Sequence, residues 1–200
     1  MNQNIIEECK RYKLVYRDES VLGKIKHKLV KLDIRLAYYF IKRKSDFKNK
    51  FWSFISTFGT YYFWFIVISL LDIFNLIGLV IPLIISGVSG ILVILLLKRK
   101  YFRCRPYETL ENFNPVALAT NTSFPSGHVY IATIFGVTIA LSLTNPVLLF
   151  ISLFIGMFVG VSRLYLGVNY FTDVIFSYFT AILHATVVWI ILKFLILPLF

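Results

Sequence analysis

The sequence predicts an all-α integral membrane bundle, with about five transmembrane helices preceded by an interfacial amphipathic helix. Three observations predict it. Hydrophobic residues make up 58% of the 200-residue chain and mean hydropathy is +0.76, whereas an ordinary soluble domain is roughly half apolar. From residue 51 onward, apolar runs recur between short turn signals. The 20 Phe and 12 Tyr suit a bilayer, whose headgroup level favours amphipathic rings.

Residues 1–28 are polar and basic and read as a cytoplasmic or surface arm; they lack an apolar stretch, so no cleavable leader is expected. Residues 29–41 are amphipathic, too short and too charged to span, and predict a helix lying in the interface. A charged connector, 42–50, leads to the first span, 51–71, of the length a bilayer demands. Asp72 and Asn75 mark a turn, and 76–97 form a second span with a kink expected at Pro82. Residues 98–124 are polar. A third span, 127–144, ends at the Asn145-Pro146 turn signal. A short fourth, 147–161, a polar hinge, 162–173, and a fifth span, 174–195, complete the chain, with 29–200 as one membrane domain.

The net charge of +11 is unevenly placed: residues 1–50 carry 14 of the 21 Lys+Arg against six acidic residues. Beside several apolar spans, this arm reads as a positive-inside flank touching anionic headgroups, not as a nucleic-acid surface. The expected location is a bacterial inner or plasma membrane with the arm in the cytoplasm. Counting spans puts the arm, the 98–124 loop and the 162–173 hinge on one face. Cys9 and Cys104 form neither a CxxC pair nor a metal-ligand spacing, and read as unpaired thiols.

Polar residues able to do chemistry fall in three places on that face. Lys98 is followed by six residues and then Arg105-Pro106. Pro125-Ser126-Gly127-His128 opens the third span. Ser162-Arg163 is followed by Asp173 ten residues after the Arg. A Lys point charge and planar Arg forks suit phosphate oxygens. Unpaired N–H groups at a helix start favour an anion, Gly127 admits close approach, and Ser126 adds a hydroxyl. His128 stands where a general acid could protonate a leaving oxygen. Asp72, Asp173, His184 and Lys193 make no polar chain across the bilayer, so a transport pathway is not indicated. His184 reads as a buried histidine bonded to a neighbouring helix, and His27 as solvated.

Together these pieces resemble the type 2 phosphatidic acid phosphatase superfamily, whose signature is KxxxxxxRP, PSGH and SRxxxxxHxxxD. Here the three read KRKYFRCRP, PSGH and SRLYLGVNYFTD, across residues 98–173. The resemblance implies a membrane lipid phosphatase that needs no cofactor or metal. Its substrate would be a lipid phosphate of phosphatidate, polyprenyl or lipid A type. It also implies that Lys98, Arg105 and Arg163 bind phosphate with help from Ser126 and Gly127. His128 would be the acid, and a nucleophilic histidine would be oriented by Asp173.

The nucleophile position departs from that pattern, because it holds Asn169. A carboxamide nitrogen is delocalised and cannot usefully attack phosphorus. Asn169 and Asp173, four apart, would share a helix face, and the amide could donate to the carboxylate. Asn169 thus preserves shape while removing the covalent step. Either an engineered inactive variant or a natural pseudophosphatase that binds lipid phosphates without turnover fits this pattern. The partners expected are a lipid phosphate and the bilayer, with no nucleic acid.

Overall fold

The computed structural model describes residues 21–42, 44–110, 116 and 122–196. Among them the chain forms helices and no strand. The helices are α1 (Val21–Ile41), α2 (Asp46–Thr57), α3 (Tyr61–Ile73), α4 (Ile77–Lys100), the single turn α5 (Pro106–Thr109), α6 (Gly127–Ser142), α7 (Pro146–Leu166) and α8 (Phe171–Ile191). A π-helical turn, Leu192–Ile196, extends α8. The arm before Val21, Cys9 within it, and the side chain of His27 lie outside the described residues.

The amphipathic stretch read as 29–41 is the second half of a longer helix. In α1, Asp33 and Ala37 are buried while Leu29 and Tyr39 are exposed. Phe40, one turn beyond Ala37, meets Tyr165 of α7 edge-on at 6.4 Å. The helix therefore packs one face on α7 and α8 and presents the other outward.

The expected first span is broken. α2 and α3 meet at 50° across Phe58-Gly59-Thr60. A break at this depth frees carbonyls that water cannot satisfy, and local side chains take them. Thr57 Oγ1 donates to Phe54 O at 2.7 Å, Thr60 Oγ1 to Thr57 O at 2.7 Å, and Trp64 Nε1 to Phe58 O at 2.8 Å. The reason for the break lies at Gly59, which abuts the start of α6. A Cβ there would stand 2.5 Å from His128 O.

Helix α6 is the hub. Ten of its 16 residues are buried, and it packs against α4, α7 and α8. At about 24 Å it is shorter than the roughly 30 Å hydrocarbon core. The longer α4, α7 and α8, each apolar enough to cross a membrane, flank it. Its core contacts include Trp64 stacked on Phe135 at 4.8 Å. Among lipid-facing helices such dispersion contacts replace the hydrophobic effect as the packing force. Pro82 lies inside a continuous α4.

His184 of α8 sits as expected between helices: Nε2 is 3.0 Å from Ser89 Oγ on α4 and Nδ1 is 2.5 Å from Tyr130 OH on α6. Ser89 Oγ donates to Ile85 O at 2.7 Å, so it accepts from Nε2–H, and Tyr130 donates to Nδ1. This chain of bonds satisfies a neutral imidazole.

Two boundaries differ from the sequence reading. Helix α7 does not stop before Ser162 but runs to Leu166, ended by Gly167 in the left-handed region at φ 76°. Nothing in 162–166 breaks a helix, whereas a left-handed glycine does. Helix α8 starts at Phe171, not 174, because Asp173 caps it, accepting from Tyr170 N at 2.8 Å. The polar hinge thus shrinks to residues 167–170.

Candidate active site

The C-termini of α4 and α7 and the N-termini of α6 and α8 meet at one end of the bundle. The start of α2 joins them, since Ser45 N donates to Tyr165 OH at 3.2 Å. The three sequence motifs therefore share a face, as span counting predicted; the arm before Val21, which the same count put there, lies outside the described residues.

Lys98 ends α4 and its Nζ donates to Thr122 O at 2.8 Å. Arg105 reaches the same carbonyl with Nη2 at 3.2 Å and Val168 O with Nη1 at 2.6 Å. Arg163, in the last turn of α7, donates from Nη1 to Ser56 Oγ at 2.7 Å and from Nε to Asn169 Oδ1 at 3.4 Å. Arg105 and Arg163 are 4% and 6% exposed. Main-chain carbonyls hold Lys98 and Arg105, and a hydroxyl and the Asn169 amide oxygen hold Arg163. Burial pulls the Arg105 pKa below its ordinary value, but a guanidinium stays charged regardless. Such a cluster favours an anion.

Ser126 precedes α6. Its N–H is taken by Ser177 Oγ at 2.7 Å, so this amide is not available to a ligand. Gly127 and His128 follow in the first turn, where amides have no intrahelical acceptor. A Cβ on Gly127 would meet nothing within 4 Å, which marks open space above the helix start. The His128 ring is half-buried, within electrostatic reach of Arg163, Arg105 and Lys98.

Asn169 sits at the centre and is 5% exposed. Its Oδ1 accepts from Ser126 Oγ at 3.1 Å as well as from Arg163, and its Nδ2 donates to Ser123 O at 2.6 Å. The expected bond from Asn169 to Asp173 is absent, since Asn169 lies in the hinge before α8, where the four-residue helical spacing does not apply. Asp173 is fully buried and accepts from Ser123 Oγ, Tyr170 N and Arg103 Nη1, the last at 2.5 Å. Ser123 thus stands between the two.

The sequence reading missed Ser56, Thr122, Ser123, Thr172, Arg103 and Asp33. Arg103 Nη2 donates to Asp33 Oδ2 at 2.6 Å, and its guanidinium lies 4.2 Å from the Tyr170 ring centroid. Burial weighs against its charge, but Asp173 and Asp33 outweigh that and hold its pKa above the ordinary value. One signal could have found Asp33: it is the only acid within the amphipathic stretch 29–41. Cys104, 3% exposed, is disulfide-bonded, which corrects the unpaired-thiol expectation for it.

No group of His, Cys, Asp and Glu among the described residues could hold a metal ion. A helical membrane bundle carrying buried cations around an open helix start defines a membrane protein with an anion-accepting site. The chain belongs to the PAP2 superfamily, which matches residues 76–196. Its fold resembles the crystal structure of LpxE from Aquifex aeolicus, with TM-score 0.68 and 24% identity, covering 78% of this chain and 94% of that one. It also resembles that of the first transmembrane PAP2 type phosphatidylglycerolphosphate phosphatase from Bacillus subtilis. There the TM-score is 0.70 and identity 21%, with 92% and 93% of the two chains covered. No curated protein matches the sequence.

Proposed function

We propose that the site is that of a membrane lipid phosphatase acting on a phosphomonoester or diphosphate of a lipid, and that Asn169 leaves the chain without its covalent step. The observation that carries this reading is the convergence of Lys98, Arg105, Arg163 and the open start of α6 on residue 169. The PAP2 family and the likeness to a phosphatidylglycerolphosphate phosphatase support the class of reaction. The lipid would be of phosphatidate, polyprenyl or lipid A type.

In this reading the three cations hold the phosphoryl oxygens, the Gly127 and His128 amides add donors, and the Ser126 hydroxyl joins them by turning from Asn169 Oδ1 to the ligand. Such preorganised donors lower the cost of charge developing in the transition state. A histidine at 169 would place Nδ1–H on the Ser123 carbonyl that now takes the Asn169 amide, freeing Nε2. Attack by Nε2 forms the N–P bond as the P–O bond to the lipid breaks, and His128 gives its proton to the leaving oxygen. Water, relieved of a proton by His128, then takes the phosphoryl group from the phosphohistidine. Asn169 can do none of the first step.

An otherwise intact signature favours an engineered inactivation. The full hydrogen bonding of Asn169 in place favours the other reading, a natural protein that binds lipid phosphates without turnover. Both require binding. Calorimetric titration in detergent with a short-chain phosphatidate and the matching diacylglycerol tests it. Binding of the phosphate lipid alone is expected, weakened about tenfold or more by Arg163→Met, as loss of one charge-assisted bond implies. Equal binding of both lipids would contradict the proposal.

A further inference from the structure

We propose that Asp33 and Arg103 are positioning residues for the site: they form a relay, Asp33–Arg103–Asp173–Ser123, that runs from the N-terminal helix to the side chain at 169. The inference deepens the phosphatase reading and rests on it for its kinetic consequence, though not for its geometry.

Each link is a specific contact. Asp33, 2% exposed on α1, accepts from Arg103 Nη2 at 2.6 Å, from Thr172 N at 2.9 Å and from Thr172 Oγ1 at 2.6 Å. It therefore grips both the Arg103 fork and the first turn of α8. Arg103 uses its other nitrogen, Nη1, on Asp173 Oδ1 at 2.5 Å and on Thr172 Oγ1 at 2.7 Å. Its ring partner Tyr170 closes the remaining face. The Arg103 carbonyl also accepts from Ser123 N at 2.8 Å. Ser123 is thus fixed twice by the same residue, once by the Arg103 main chain and once through Asp173, to which its hydroxyl donates. The Ser123 carbonyl then holds Asn169 Nδ2 at 2.6 Å.

Two features argue that the relay serves the site beyond holding the fold together. Asp173 makes no direct contact with residue 169 in this arrangement, so its influence there passes through Ser123. And the two carboxylates are 1% and 0% exposed in their side chains while Arg103 is 22% exposed. A planar fork between two buried carboxylates fixes direction as well as charge, which an ammonium would not. Arg103 is paired at its two terminal nitrogens with two carboxylates, Asp33 and Asp173, which neutralise its charge and leave it to orient rather than to bind. The consequence is that the seating of α1, an amphipathic helix at the membrane surface, is coupled to the geometry at 169.

The test has two arms, using the full chain in detergent micelles. In the chain as it stands, Asp33→Asn removes charge while keeping shape, and Arg103→Lys keeps charge while removing the fork. Hydrogen exchange should accelerate at the amides of Ser123 and of Tyr170 to Asp173, with the interiors of α6 and α7 unchanged. In an Asn169→His background, phosphate release from a short-chain phosphatidate should fall about 100-fold in kcat with KM nearly constant, as a small misplacement of a reacting group implies. Unchanged exchange at those amides, acceleration spread evenly over the bundle, or a change confined to KM would each overturn the relay. If Asn169→His itself releases no phosphate, the phosphatase reading fails and the exchange arm alone decides.

Discussion

Asn169 donates its side-chain amide to the Ser123 carbonyl at 2.6 Å, and not to Asp173. The residue that fixes position 169 is therefore on the loop before α6, and Asp173 acts on that loop through the Ser123 hydroxyl. Ser123→Ala keeps the carbonyl and deletes the hydroxyl. Since a hydrogen bond to a charged group contributes about 1.5–3 kcal/mol, thermal unfolding in detergent should show a loss of that order. Phosphate-lipid binding should survive, because no cation that faces the ligand loses a partner. A loss of binding without a loss of stability would contradict this assignment.

Arg103→Met should be among the most damaging single changes outside the phosphate-facing set. It strips the cation from two buried carboxylates, Asp33 and Asp173, and removing one partner of a buried pair costs about 3–5 kcal/mol. Denaturation in detergent should show it. Restoring part of the loss by pairing Arg103→Met with Asp33→Asn would identify the uncompensated charge as the cause.

Gly59 and Gly78 offer a paired test of the break between α2 and α3. A Cβ at Gly59 would press within 2.5 Å of His128 O, whereas one at Gly78 meets nothing within 4 Å. Gly59→Ala should destabilise by about 1–3 kcal/mol through overpacking and displace His128. Gly78→Ala should be neutral or stabilising by about 0.4–1 kcal/mol through the unfolded state. Equal melting temperatures for the two variants would refute the close approach.

The orientation of the site face is open to labelling. We propose that this face is cytoplasmic, from the charge of the arm. With Lys100, exposed at the end of α4, replaced by cysteine, a membrane-impermeant maleimide should label only permeabilised cells. Labelling of intact cells would reverse the assignment.

The helical membrane class was legible because apolar runs of span length need no tertiary information. So was the clustering of the three motifs, since helix count alone puts Lys98, Gly127 and Arg163 at one end. The break at Gly59 was missed although Ser56-Thr57-Phe58-Gly59-Thr60 puts small and polar residues inside the run 51–71: those residues do not by themselves end a span, and what requires the glycine is the distant His128 backbone. The end of α7 was misplaced because polar Ser162 and Arg163 were weighted above Gly167, the residue that stops the helix. Asp33 and Arg103 escaped because each looks ordinary alone, an acid on an amphipathic helix and one basic residue in a basic loop. Only the fold puts them 2.6 Å apart.

The most direct test of the central claim is phosphate release from a panel of lipid phosphates, comparing the chain as it stands with Asn169→His. The account predicts release by the histidine form alone, with the favoured lipid naming the substrate. Comparable release by the asparagine form would show that another group attacks phosphorus, and the role given to residue 169 would be wrong.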